Sequence, residues 1–323
     1  NRLGHIDRAL IMLWLDGYAY EEMAEIIGLT RSNVAVKLII TNSEINSNKI
    51  NQDGIANSNT TPKDKGVGLW LGNSAETTIS DSTISGNIIE NAASTNENAG
   101  GGICIEGGTL TINEATIISG NSSGYGGGVY QADGDFTMNG GTIGGTGENA
   151  GCTAEQGGGV YVADGANFTM NGGSITGNIA TSTSNPALGG GVCVAAGGKF
   201  KMQGGSITTN TAKDTTNATN NYKGCGGGVA VEVTKDSSTT NTVTKIGNFT
   251  MSDGSITGNT ATNGKGVFIM GGSSTQVIDS IFNISGNAVI NSDNDVYLQG
   301  STAKITIARL KMPPIPLKQC KTI

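Results

Sequence analysis

The chain has 323 residues, 52 of them glycine, with only 14% charged residues and a net charge of −7. Acidity of that order gives no broad attraction to nucleic acid or anionic membranes, and there is no run of about 18 apolar residues to span a bilayer. Glycine at this level would mean disorder if aperiodic; here it recurs with the sequence and reads as tight turns.

Residues 1–38 read as helical. An apolar helix over 6–15 ends at Asp16-Gly17, a short amphipathic helix over 20–27 closes at Gly28, and Thr30 can cap a third over 31–38. Helix, glycine turn and capped helix make a helix-turn-helix. The string Tyr20-Glu21-Glu22-Met23-Ala24-Glu25-Ile26-Ile27-Gly28-Leu29, then Ser32-Asn33-Val34, resembles region 4 of extracytoplasmic-function sigma factors. That resemblance implies a last helix that reads promoter DNA through Arg31, Ser32, Asn33 and Lys37. The segment departs from the family where Leu38-Ile39-Ile40-Thr41 replaces a basic continuation. Its charge is also poor for phosphate: Arg2, Arg8, Arg31 and Lys37 against Asp7, Asp16, Glu21, Glu22 and Glu25 give 4 − 5 = −1. A cap over the open edge of the next domain, or a fusion remnant, is therefore the preferred reading. A DNA-binding regulator fragment is the alternative. The opening residues lack the basic start and apolar stretch of a secretory leader; the chain begins at Asn1 rather than Met, so this decides nothing about compartment.

From residue 39 a repeat takes over: Gly-Gly-Gly-Val, then Phe-Thr-Met, then Gly-Gly-Ser-Ile-Thr-Gly-Asn. The clear copies begin at Gly126, Gly157, Gly189 and Gly226. In each, a Phe (Phe136, Phe168, Phe200, Phe249) lies seven residues before an Ile (Ile143, Ile175, Ile207, Ile256). Weaker copies are Leu69-Trp70-Leu71 with Ile79, Ile84 and Asn87; Ile103-Cys104-Ile105 with Ile112, Ile118 and Asn121; and Val267-Phe268-Ile269 with Ile278, Ile284 and Asn287. Ile45 to Asn48 looks like part of another. The apolar segments are three to five residues long, alternate with period two and are joined by loops of free length, including an insertion over 234–247. Stacked coils of rigid strands require such a pattern.

The expected fold is all-β: a right-handed parallel β-helix of about seven or eight coils over 39–307, three short strands per turn, followed by an irregular tail over 308–323. The first strand turns Leu69, Ile103, Val129, Val160, Val192, Val229 and Val267 inward, and so too its third position, where Gln131 is the one polar member. Phe and Met form a second inward face and the Ile of Ser-Ile-Thr a third. Asn87, Asn121, Asn178, Asn210, Asn259 and Asn287 are expected to bond one to the next at a corner, with Asn tolerating the left-handed turn there. Gly-Gly-Gly-Val, Phe-Thr-Met and Ile-Thr-Gly-Asn together resemble bacterial right-handed parallel β-helix surface proteins, of the autotransporter passenger and polymorphic membrane protein type. This implies a secreted or cell-surface, adhesin-like protein.

Chemistry is thinly represented. The one His, His5, lies outside the repeat; Asp133 and Asp164 sit in Ala-Asp-Gly turns; and Glu232 and Asp253 have no obvious carboxylate partner in register. Neither a metal nor a cofactor is expected, and the chain reads as non-enzymatic, with a carbohydrate-active β-helix enzyme as a further alternative. Cys104 and Cys193 fall about 14 Å apart on one column, too far for a disulfide; Cys152 and Cys225 read as loop residues, and all are expected free. Two outward columns are candidate surfaces. Trp70, Tyr130, Tyr161 and Phe268 share the middle of the first strand and could stack on a glycan or receive a protein partner unless loops cover them. Ser174/Thr176, Ser206/Thr208 and Ser255/Thr257, flanked by Thr137, Thr169 and Thr250, form hydroxyl rows similar to those of ice-binding β-solenoids, interrupted by Lys201 and Gly144; ordinary β-propensity explains them more simply.

Overall fold

A computed structural model describes residues 37–51, 65–73, 75–90, 98–183, 186–214, 224–235, 243–271, 280–299, 303–310 and 317–319. Every regular element among them is a β-strand. Short runs such as Val160-Tyr161-Val162 become strands because β-branched and aromatic side chains alternate there between glycine turns. Each strand pairs in parallel with its copy one coil away: Val129 with Val160, Val160 with Val192, Val192 with Val229. The outcome is a set of curled parallel sheets, a β-solenoid-like fold.

The first-strand sheet holds nine strands, from Leu69–Leu71 through Val160–Val162 to Val296–Leu298 and Leu317–Gln319. The Phe-Thr-Met and Ser-Ile-Thr strands belong to one fifteen-stranded sheet, bent between them. In two coils they are continuous, as Lys199–Thr208 and Asn248–Thr257, with the register shifting at the bend. Beyond the Asn corner a fourth ladder appears that the repeat does not announce, formed by Thr153–Ala154, Ile179–Ser182, Thr211–Asp214 and Thr260–Ala261. Inside, the core runs the length of the stack. Phe136, Phe168, Phe200, Phe249 and Phe282 lie nearly parallel with ring centroids 4.5, 4.7, 4.9 and 4.8 Å apart. Met138, Met170, Met202 and Met251 follow the same course, all fully buried.

Of the corner asparagines, Asn87, Asn121, Asn178, Asn210 and Asn259 are buried and bonded through both amide atoms. Asn210 Nδ2 donates back to Ile175 O (2.9 Å) and forward to Asn259 Oδ1 (3.0 Å). Its own Oδ1 accepts from the backbone N–H (3.0 Å) and Nδ2 (2.9 Å) of Asn178. The left-handed residue is the one before the Asn, not the Asn itself: Gly177 (φ 66°), Thr209 (φ 55°), Gly258 (φ 64°). The glycine run has a different cause at its second position. A Cβ on Gly158 would lie 2.5 Å from Gly190 O and 2.6 Å from the Ile179 carbonyl, so only hydrogen fits between the first-strand turn and its neighbours.

The structure corrects the sequence reading in several places. The last coil is shifted by one strand: Phe282 and Ile284 align with Phe249 and Met251, Ile290 with Ile256, and Asn294 supplies the ladder amide for Asn259 at 2.8 Å. Ile284-Ser285-Gly286-Asn287 copies the corner motif in letters, but the Phe stack decides the register. Asn287 instead reaches Asp253 Oδ2 at 3.4 Å on the surface; Ile278 lies outside the described residues. Where the ladder lacks Asn between coils, Cys152 fills the rung: its N–H bonds Asn178 Oδ1 at 3.0 Å and its thiol is fully buried, not in a loop. Cys225 is likewise buried, in a line of single bridges Ala99, Tyr125, Gln156, Leu188, Cys225, Asn263. The 308–323 region, read as irregular, contributes Leu317–Gln319, paired with Val296–Leu298. At the other end Lys37–Thr41 is a strand paired with Glu76–Ser80, so Lys37 and Leu38 of the helix expected over 31–38 are strand instead; the rest of the helix-turn-helix lies outside the described residues.

Two stability measurements test this core. Phe168→Ala should cost roughly 3–5 kcal/mol in denaturant melts and Thr169→Ala, on the outward side of the same strand, under about 0.5; equal losses would mean the facing is wrong. Asn210→Ala strands the Ile175 carbonyl and both Asn178 donors, at about 1–3 kcal/mol for each group left unsatisfied inside. Asn139→Ala removes a bond from the exposed Asn113, Asn139, Asn171 series, and should change stability by less than about 0.5 kcal/mol.

Candidate functional site

The middle position of the first strand builds the column expected to be a working surface. Trp70, Cys104, Tyr130, Tyr161, Cys193, Ala230, Phe268 and Tyr297 follow in register, one per coil. Tyr130 and Tyr161 stack at 5.5 Å with an 11° interplanar angle. The four predicted residues are thus brought onto one column but do not share an exposed face. Trp70 is 54% exposed, whereas Tyr130, Tyr161 and Phe268 are 5%, 7% and 1% exposed. They are covered by the line of single bridges: Leu188, Ala99 and Cys225 pack over them, and Tyr125 meets the edge of Tyr161 at 5.1 Å and 82°. Three of the four rings are therefore packing, which removes the continuous aromatic strip as a platform for sugar stacking. The predicted DNA contacts Arg31, Ser32 and Asn33 lie outside the described residues, and Lys37 belongs to a strand rather than a recognition helix.

Burial sets the chemistry of this second core. It pushes the thiols of Cys104 and Cys225 up to about 12 and Cys152 to about 11, and holds Cys193 well above the usual thiol range. All four thiols are free and protonated at neutral pH, poor nucleophiles and poor metal ligands. Tyr125 and Tyr130 are also raised to about 12 by burial.

Beside the aromatic column runs another, two residues on and just past the end of the strand. Its members are Glu106, Ala132, Ala163, Ala195, Glu232, Met270 and Gln299, each donating its N–H to the third position of the preceding coil's first strand. Small residues occupy its centre and a carboxylate stands towards each end. Glu106 has an ordinary partner: Lys65 Nζ lies 2.6 Å from its Oε1 and 5.7 Å from the centroid of the Tyr130 ring. Glu232 has a different one, the Cys193 thiol, which donates to Oε2 at 3.6 Å. Protein crowds the Glu232 carboxyl although part of the residue opens to a cleft. Desolvation raises it to about 7, and the thiol bond only partly offsets that. Sequence reasoning noted Glu232 but found no partner in register; its setting depends on a neighbour in the middle column and on the inserted hairpin, neither of which the repeat pattern encodes.

The cleft, of about 380 Å³, is formed where the insertion leaves the stack. Val233–Lys235 and Val243–Ile246 pair as the one antiparallel ladder among the described residues. Its strands bring Thr234, Thr244 and Lys245 over Ala195, Ala196 and Tyr161. Lys245 is ion-paired with Asp164 at the mouth. The hydroxyl rows on the opposite side are in register as expected, Ser174 with Ser206 and Ser255, Thr176 with Thr208 and Thr257. Ser206 Oγ bonds Ser174 Oγ at 3.2 Å, so part of the serine row is satisfied within itself, while Thr176 bonds Thr209 and Thr257 bonds Asp293 outside the threonine row.

A scan against protein-family models and searches of curated proteins and of solved structures returned no match.

The displaced titration of Glu232 has a sign that can be measured. Its folded-state value is raised above the usual carboxylate range, so between about pH 4.5 and 7 the native state holds a proton that the unfolded state has lost. Stability is therefore greatest below that window and falls as pH rises through about 7. Urea melts at pH 5 and pH 8 should show a loss of up to about 3 kcal/mol from this group in the wild type. Glu232→Gln should lack that slope and be the more stable protein at pH 8; parallel pH profiles would show that the carboxyl is solvated.

Proposed function

We propose that this chain is a non-enzymatic scaffold, a right-handed parallel β-helix of the adhesin-like kind, acting outside the cell or on its surface. The handedness follows from the general preference for right-handed crossovers between parallel strands, and the surface role from the resemblance of its repeat to autotransporter passengers. The observation that carries the reading is a second outward column, on the fifteen-stranded sheet. Thr78, Thr111, Thr137, Thr169, Lys201, Thr250, Asn283 and Thr306 succeed one another in register, one per coil. All eight retain solvent exposure. The backbone holds them about 4.8 Å apart, so their donors and acceptors repeat along a straight line. Such a line suits an extended partner, a glycan chain or a protein strand, and asks for no catalytic group.

The test is binding. Wild type and a Thr137→Arg/Thr169→Arg variant would be applied to a glycan array and to immobilised cells. The expected result is binding by the wild type that falls at least tenfold in the variant, with circular dichroism unchanged. Absence of wild-type binding, or equal binding by both, would overturn the role of this face. Depolymerisation of a polysaccharide by the wild type would replace the scaffold with an enzyme, and salt-sensitive, sequence-specific duplex binding would favour the sigma-like segment.

A further inference from the structure

The cleft beside the inserted hairpin lies on a different sheet from the polar column. Its composition is specific. In the two coils before it the corner reads Ala132-Asp133-Gly134 and Ala163-Asp164-Gly165; in the next it reads Ala195-Ala196-Gly197. Losing the aspartate at Ala196 hollows the floor. Asp164 then reaches in from one side and Glu232 from the other, with Lys245 between hairpin and mouth. Two carboxylates and one ammonium line the cleft. Lys245 is committed to Asp164, so the negative charge of Glu232 is left over.

The protein itself shows what completes such a carboxylate. Glu106 lies in the same column as Glu232, and there Lys65 places its ammonium against the carboxylate and over the Tyr130 ring. Tyr130 stands one coil after Glu106; at Glu232 the ring in the cleft wall is Tyr161, two coils earlier in the stack, and no described residue supplies the ammonium. A carboxylate in a desolvated setting gains most from a charged partner, and a tyrosine face adds cation–π attraction.

We propose that the cleft is a binding site for an alkylammonium group, which pairs with Glu232 beside Tyr161 under the hairpin. A free polyamine and a lysine side chain of a peptide carry the same group, and the cleft's volume holds either. The groups facing Glu232 are Cys193 from the adjacent first strand, Tyr125 and Tyr161 from the covering layer and middle column, and Lys245 with Asp164 at the mouth. Glu232 itself, raised to about 7 by burial, changes charge between pH 6 and 8.

The experiment is a calorimetric or NMR titration of the whole chain with n-butylamine, cadaverine and Nα-acetyl-lysine amide, against n-butanol and the Nε-acetylated lysine as uncharged controls. The amines should bind at pH 8 and the controls should not. Apparent affinity should fall about tenfold at pH 6, as Glu232, raised to about 7, takes up a proton. Glu232→Gln should weaken binding at least tenfold at pH 8. Ala196→Leu, which keeps the carboxylate but fills the floor, should do the same. Stronger binding of cadaverine than of the lysine amide would identify a free polyamine as the source, and the reverse a peptide. No amine binding at pH 8, equal binding of the uncharged controls, or binding unaltered by both substitutions would overturn the proposal. None of these outcomes bears on the polar column, which the hairpin does not touch.

Discussion

The hydrogen-bond spacing between parallel strands, about 4.8 Å, is the distance to which everything else in this molecule is fitted. A coil can repeat at that pitch only if each of its side chains can lie against a copy of itself. Phenylalanine rings can: the observed centroid separations of 4.5 to 4.9 Å are at once the strand spacing and a favourable stacking distance. Asparagine can for a different reason. Its amide has donors to spend in both directions along the stack and an oxygen to accept from behind, so one residue type satisfies itself indefinitely. A buried amide without that periodic neighbour would cost what it now contributes. Cys152 shows the tolerance of the rule. A thiol in the amide's place keeps the backbone bond to Asn178 and reduces the contact with Asn121 to a long one at 3.9 Å.

The same constraint explains what could be read from the letters. Phe168 to Ile175 and its copies share a fixed spacing because both ends are anchored in ladders, and that spacing exposed the strands, their facing and the parallel pairing. Errors arose where letters repeat without anchoring. Asn287 follows the same Ile-Ser-Gly as Asn87 and Asn121, yet the Phe282 ring in that same strand sets the register and hands the rung to Asn294. Cys225 and Leu188 belong to a ladder one residue wide, too narrow to leave alternation or propensity behind. Without that ladder the outward face of the first strand reads as exposed; with it, Tyr130 and Tyr161 become a second core.

That second core changes what the first-strand sheet can do. A half-buried antiparallel sheet has one wet face, but parallel stacks tend to be covered on both, and here glycine-rich turns and their single bridges supply the cover. Function on this side is thereby confined to places where the cover fails. One is the start of the sheet, at Trp70. Another is the hairpin, where an insertion lifts the chain away from the stack and Ala195-Ala196 leaves a depression beneath it. The opposite sheet has no such cover, and its outward threonines stay in solvent.

A solenoid divides labour between columns and interruptions. Columns hold residues that are interchangeable along the axis, so any property they confer is spread over the whole rod. An interruption occurs once and can hold an arrangement that the repeat would forbid, because a buried carboxylate repeated at 4.8 Å would repel its own copies. The Glu106/Glu232 column obeys this limit: alanines separate the two, and each carboxylate has its own local device, a lysine for one and a thiol for the other. The lysine neutralises its carboxylate and closes the site. The thiol can donate a hydrogen bond but no charge, so the hairpin cleft keeps an electrostatic demand that Lys65 meets at Glu106.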